Sequence, residues 1–120
     1  MEEHKTANYR ARGTYYEGAC AAWLERNGYE IITRNFRCRI GEVDLIAKNE
    51  GYLVFIEVKF RKNACMGAPY EAVDGRKQMR IRQTARWYMK MKRLPANTPV
   101  RFDVMAVSGG DIQLYKNAFY

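Results

Sequence analysis

The stretch GEVDLIAKNEGYLVFIEVKFRK, residues 41–62, reads as two apolar strands around a tight turn, yet Asp44 and Glu57 stand inside the apolar runs. Asn49-Glu50-Gly51 carries the turn chemistry. With Glu50 and Gly51 as a two-residue loop, Asn49 faces Tyr52, Ile46 faces Phe55, Asp44 faces Glu57 and Glu42 faces Lys59. A longer loop would leave the acids diagonal. Alternation puts Asp44, Glu57, Lys59 and Arg61 on one side together with Ile46, Leu53 and Phe55. Val43, Leu45, Val54, Ile56, Val58 and Phe60 take the other side.

Opposed residues lie about 4.5–5.5 Å apart at Cβ, where two full negative charges repel by roughly 3 kcal/mol at an effective dielectric of ~20. Protonation of one acid, the Lys59 ammonium or a shared divalent cation would offset this. Mg²⁺ or Mn²⁺ suits such a pair, because Mg²⁺ takes oxygen from one or two carboxylates and leaves room for water and phosphate. The Val58 backbone carbonyl is a further donor, and Lys59 is placed to hold a nucleophile or stabilise developing charge. The competing reading is a wetted, salt-bridged sheet face with Glu42 paired to Lys59. The apolar neighbours on the acids' own side favour a cleft.

Outward from the hairpin, Tyr16, Cys20, Trp23 and Leu24 predict a helix over 15–27 ended by Gly28, and YEIITRNF predicts a strand over 29–36. RKNACMGAPYE reads as a loop, followed by a helix from about Tyr70 to Lys92 with Val73, Lys77, Ile81, Ala85 and Tyr88 on one stripe. VRFDVMAV and IQLYK predict a closing hairpin around Ser108-Gly109-Gly110-Asp111. A helix between the third and fourth strands permits a crossover, hence an α/β fold with a mixed sheet and helices packed on it. The 120 residues fit one domain, with 1–12 as a mobile N-terminal arm.

The chain carries 21 Lys and Arg against 13 Asp and Glu, a net charge of +8 that favours polyanionic partners. Arg76, Lys77, Arg80, Arg82 and Arg86 lie on the second helix without an intervening acid, which suits a phosphate backbone without reading its sequence. Trp23 suits the core, whereas Trp87 lies off the stripe and suits an interface or a nucleic-acid surface. Asp103 suits either support of the acidic face or a pairing with an arginine. Three scattered cysteines and a single His4 argue against a zinc site, a disulfide framework or histidine catalysis. No run is long enough for a membrane span and the start lacks a secretory signal, so a cytoplasmic location is expected.

An acid on one strand and Glu-x-Lys on the next resembles the restriction-endonuclease-like superfamily with its PD-(D/E)xK core. RNFRCRIGEVDLIAKNEGYLVFIEVKFR, GAPYEAVDGRKQMRIRQTARWYM, RFDVMAV and the final NAF resemble, in order, the small bacterial YraN-like family over nearly the whole chain. That family is similar in fold to archaeal Holliday-junction resolvases. The resemblance implies a restriction-endonuclease-like mixed sheet flanked by helices, and a Mg²⁺- or Mn²⁺-dependent endonuclease acting on DNA, including branched DNA. Asp44 and Glu57 match its metal-binding acids and Lys59 its lysine, while Val43 stands where the superfamily has proline. Glu17 matches a first-helix acid that binds metal in these nucleases, but Thr14-Tyr15-Tyr16-Glu17 is equally a capping box. Arg61 joins the basic helix as a phosphate contact. Cutting both strands of a junction implies a symmetric homodimer. The alternatives are a non-catalytic nucleic-acid-binding module of the same fold, or an adaptor for acidic proteins.

Overall fold

The computed structural model describes residues 18–60 and 74–119. Glu17, the Thr14 box, His4, Arg61, Cys65, Val73 and the 1–12 arm lie outside them.

The central hairpin forms as its turn dictates. Glu50 and Gly51 both adopt positive φ, 53° and 82°, the two-residue geometry whose twist matches that of the flanking strands. It joins β2 (Glu42–Asn49) to β3 (Tyr52–Phe60), with the antiparallel register running from Asn49–Tyr52 through Ile46–Phe55 to Leu45–Ile56. β1 (Glu30–Arg37) adds antiparallel to β2, with a register shift between Ile31 and Thr33 and Asn35 at φ 55°. β4 (Val100–Ser108) lies parallel to β3, and β5 (Asp111–Phe119) folds back on β4 around Gly109 and Gly110. The five-stranded mixed sheet follows chain order β1-β2-β3-β4-β5. The parallel β3–β4 step requires a crossover, supplied by helix α2 (Gly75–Met91).

Alternate strand residues define two cores. Leu45, Ala47, Val54, Ile56, Val58, Met105 and Val107 pack with Cys20, Ala21 and Leu24 of α1, which is helical over 18–26 in the described residues. Ile46, Leu53, Phe55 and Val104 pack with Ile81, Ala85 and Tyr88 of α2. The two helices therefore cover opposite faces of the sheet.

The Asp74 carboxylate accepts the Lys77 N–H at 2.9 Å and starts α2 at Gly75, later than the sequence periodicity suggests. At the other end Arg93 takes φ 53°, Leu94 N–H reaches the Met89 carbonyl and Arg93 N–H reaches Lys90, a Schellman closure with Pro95 just beyond.

One side-chain assignment differs from simple alternation. Val43 joins the α2-side core with Ile46 and Phe55 instead of following Leu45 to the α1 side. It pairs with Phe36, just past the left-handed Asn35, and Phe36 packs against the same core. The strict period of two is broken at the edge where β2 leaves β3.

Candidate active site

Glu57 stands between Ile56 and Val58, both buried against α1, so its own side chain faces α2. Only 6% of the residue is exposed. Asp44 sits one residue past the last β2–β3 pair, Leu45–Ile56. The ladder does not continue to the expected Asp44–Glu57 and Glu42–Lys59 pairs. The Asp44 Oδ2 atom instead accepts the Val58 N–H at 2.7 Å. A side-chain carboxylate thus replaces a strand carbonyl where the strands part, which satisfies the buried amide and brings an acid to the fork. Glu42 pairs instead with Arg37 across β1, at 3.2 Å on the exposed rim.

The counter-charge to these acids comes from α2. Lys77 Nζ lies 2.7 Å from Glu57 Oε1, with the lysine side chain 39% exposed. Burial works against the Lys77 ammonium, but its hydrogen bonds to Glu57 and Lys59 and the charges of Glu57 and Asp44 carry its pKa above the ordinary lysine value. Lys59 goes the other way. Burial first, then the neighbouring Lys77, push its pKa below the ordinary value, while Glu57 and Asp44 pull part of the way back. Two acids and two lysines form one electrostatic cluster, and Lys77 takes much of the offsetting role that repulsion between the acids demands.

Lys77 is the residue whose role the stripe understated. The periodic pattern places its stem along the apolar stripe and its head toward phosphate. The available signal was a cation on the core-facing stripe one turn before Ile81.

Beside the cluster lies a cleft of about 630 Å³ between the β1–β2 turn and the start of α2. Arg37, Arg76, Lys77 and Arg80 line it, with Glu42 and Asp74. Gly41 makes this approach possible, since a Cβ there would come within 2.8 Å of Arg80 Cγ and 3.0 Å of Thr84 Oγ1. Arg76, Arg80 and Arg86 are exposed and Arg82 is half-buried.

The described residues fit a hard divalent cation through oxygen donors. Among the described residues no three His, Cys, Asp or Glu side chains converge, which leaves no zinc or calcium cage. Two carboxylates and a backbone carbonyl can serve an ion that keeps several waters. Val58 sends its N–H toward β2, and in a regular strand its carbonyl points to the same side. These oxygen donors are of the kind that suits Mg²⁺ or Mn²⁺, with Lys77 Nζ now on Glu57 Oε1.

Asp103 does not contribute to this cluster. It belongs to the α1 face, where it is fully buried. Arg101 Nε and Nη2 donate to its two oxygens at 2.9 and 2.8 Å, the Tyr29 hydroxyl donates at 2.9 Å, and the Asn117 N–H donates at 2.9 Å. Arg101 also donates to the Tyr29 hydroxyl and to Asn49 Oδ1, both at 2.8 Å. This lock ties the start of β1 to the hairpin turn and the last two strands. Its carboxylate has no capacity left for a metal.

Among the described residues no helix is long and apolar enough to cross a membrane. The profile of the uncharacterised protein family UPF0102 matches residues 16–107. A UPF0102 protein of Lachnoclostridium phytofermentans is 47% identical over 112 residues, covering 93% of this chain and 95% of the relative. One from Clostridium acetobutylicum is 44% identical over 113 residues, covering 89% and 92%. One from Syntrophus aciditrophicus is 45% identical over 118 residues, covering 95% and 91%.

Proposed function

The chain belongs to the UPF0102 family, and from that premise we propose that it is a divalent-metal-dependent endonuclease that hydrolyses phosphodiester bonds of DNA. One observation carries the reading: Asp44 leaves the sheet ladder to cap Val58 beside the buried Glu57, and both acids act on the same two lysines. Asp44, Glu57 and the Val58 carbonyl would hold Mg²⁺ or Mn²⁺. Such an ion supplies Lewis acidity toward a phosphate oxygen when bound. Lys59, held beside the acids in a partly buried position, would hold the attacking water by hydrogen bond and stabilise charge developing on phosphate. Arg76 and Arg80 would fix the backbone in the cleft, and Lys77 would release Glu57 and join them. Glu17 and Arg61 are proposed as an auxiliary ligand and a further phosphate contact. A symmetric homodimer would cut both strands of branched DNA.

The test is cleavage of branched, flapped, duplex and single-stranded DNA with Mg²⁺ or Mn²⁺, using wild type and Asp44→Asn. The variant should lose at least about 100-fold in rate, the scale of removing one charge-stabilising group, while DNA binding persists. Full cleavage by Asp44→Asn would overturn the assignment. A second reading, a nucleic-acid-binding module that cuts nothing, is favoured by the Lys77–Glu57 contact at 2.7 Å. It predicts no cleavage by wild type with either metal and unchanged binding by Asp44→Asn.

A further inference from the structure

Between the second half of α2, the segment that follows it and the start of β4 lies a second, larger concavity of about 860 Å³, within the size range of ligand sites. Its walls are mainly apolar, including Met89, Leu94 and Phe102, and Trp87 opens into it with 41% of its surface exposed. Arg82, Arg86 and Lys90, successive residues at i, i+4 and i+8, stand along the same groove. Among the described residues no carboxylate lines it.

An apolar floor with a part-exposed indole, which packs on Phe36 at 6.1 Å between ring centroids, and with three cations among the described lining residues, is complementary to a molecule that offers flat apolar faces and regularly spaced negative charges. We propose that this groove binds an unpaired nucleic-acid strand, with a base stacked on Trp87 and the backbone phosphates on Arg86, Lys90 and Arg82. Duplex DNA buries its base faces and cannot use the indole, whereas a single strand can. The proposal rests on the reading of this protein as a nucleic-acid enzyme and deepens it by naming the form of the strand.

The groove adjoins the basic cleft. Ile40 lines both this groove and the basic cleft beside Lys77. Trp87 is ten residues beyond Lys77 on α2, about 15 Å at ~1.5 Å per residue. Roughly four stacked nucleotides cover that distance at ~3.4 Å each. A strand held at Trp87 would thus reach the acidic fork, which suits flaps and junction arms over uninterrupted duplex.

The experiment measures binding in EDTA, so that failure of the cleavage reading leaves it intact. Fluorescein-labelled oligodeoxythymidylate and a duplex of equal length are titrated with wild type, Trp87→Leu, Trp87→Phe and Arg86→Gln, each first checked for a wild-type melting transition. Wild type should bind the single strand with quenching of its tryptophan emission. Trp87→Leu should lose about 10-fold on the single strand and under about 2-fold on the duplex. Trp87→Phe should restore most of the affinity, since it keeps a stacking face. Arg86→Gln should weaken both forms and lower the single-strand salt slope by about 0.7. Equal single-strand affinity for wild type and Trp87→Leu would overturn the proposal. So would equal losses on both forms, or a wild-type dimer dispersed by Trp87→Leu in sedimentation, which would assign the groove to a second copy.

Discussion

Replacing Lys77 by methionine keeps the stem and removes the charge that faces Glu57. At the observed 2.7 Å separation, two unit charges attract by about 6 kcal/mol at an effective dielectric of ~20 and about 1.5 kcal/mol in bulk water. The lysine side chain keeps 39% of its surface in water while that of Glu57 keeps 8%. Solvent screening and the desolvation of both groups therefore cancel most of the larger figure. A loss of about 2 kcal/mol is expected, much of it the cost of leaving Glu57 buried without its partner. For 120 residues, at about 2.1 cal/mol/K each, this lowers Tm by about 8 °C. Thermal melting followed by circular dichroism reads the change. The double variant Lys77→Met/Glu57→Gln should recover most of it, since neither charge is then left alone. Millimolar Mg²⁺ should raise the Tm of Lys77→Met more than that of wild type, because Glu57 there has lost the ammonium it contacts at 2.7 Å. A Tm within about 1 °C of wild type, or a double variant no more stable than Lys77→Met, would show that Lys77 does not neutralise these acids.

Three further outcomes follow from the packing. Arg101→Met strands the fully buried Asp103 and should cost about 3–5 kcal/mol in urea unfolding. Gly41→Ala forces a methyl against Arg80 Cγ and Thr84, and should cost about 1–3 kcal/mol while narrowing the cleft that Gly41 lines. The Tyr29 hydroxyl titrates above its ordinary value of 10.0 because of burial first and Asp103 second. The unfolded chain thus releases this proton sooner, so its stabilisation is intact below about pH 10 and falls as pH rises through the folded value, by up to ~1.4 kcal/mol per unit. Tyr29→Phe should be less stable at neutral pH and lack that part of the alkaline slope, measured by urea titration at several pH values.

The local parts of this fold were written in the chain. Glu50-Gly51 fixes the hairpin and its register, and period-two alternation puts Glu57 on the face opposite Ile56 and Val58. The α2 stripe announces Ile81, Ala85 and Tyr88, and Ser108 to Asp111 announces the last turn. These signals act between near neighbours, so backbone geometry alone converts them into structure.

The site depended on contacts that no local period encodes. Where β2 parts from β3, the amide of Val58 needed an acceptor, and the Asp44 carboxylate supplied it in place of the expected ladder pair. Lys77 turned toward Glu57, 20 positions earlier, because packing of α2 brought an ammonium to a buried carboxylate. Asp103 found Tyr29 across a sequence separation of 74 and became a structural lock on the other face. Sequence set which residues could meet, since side-chain direction follows from the strand and helix repeats. Tertiary packing decided which charges did meet, because a buried charge takes whichever partner the assembled fold brings within reach.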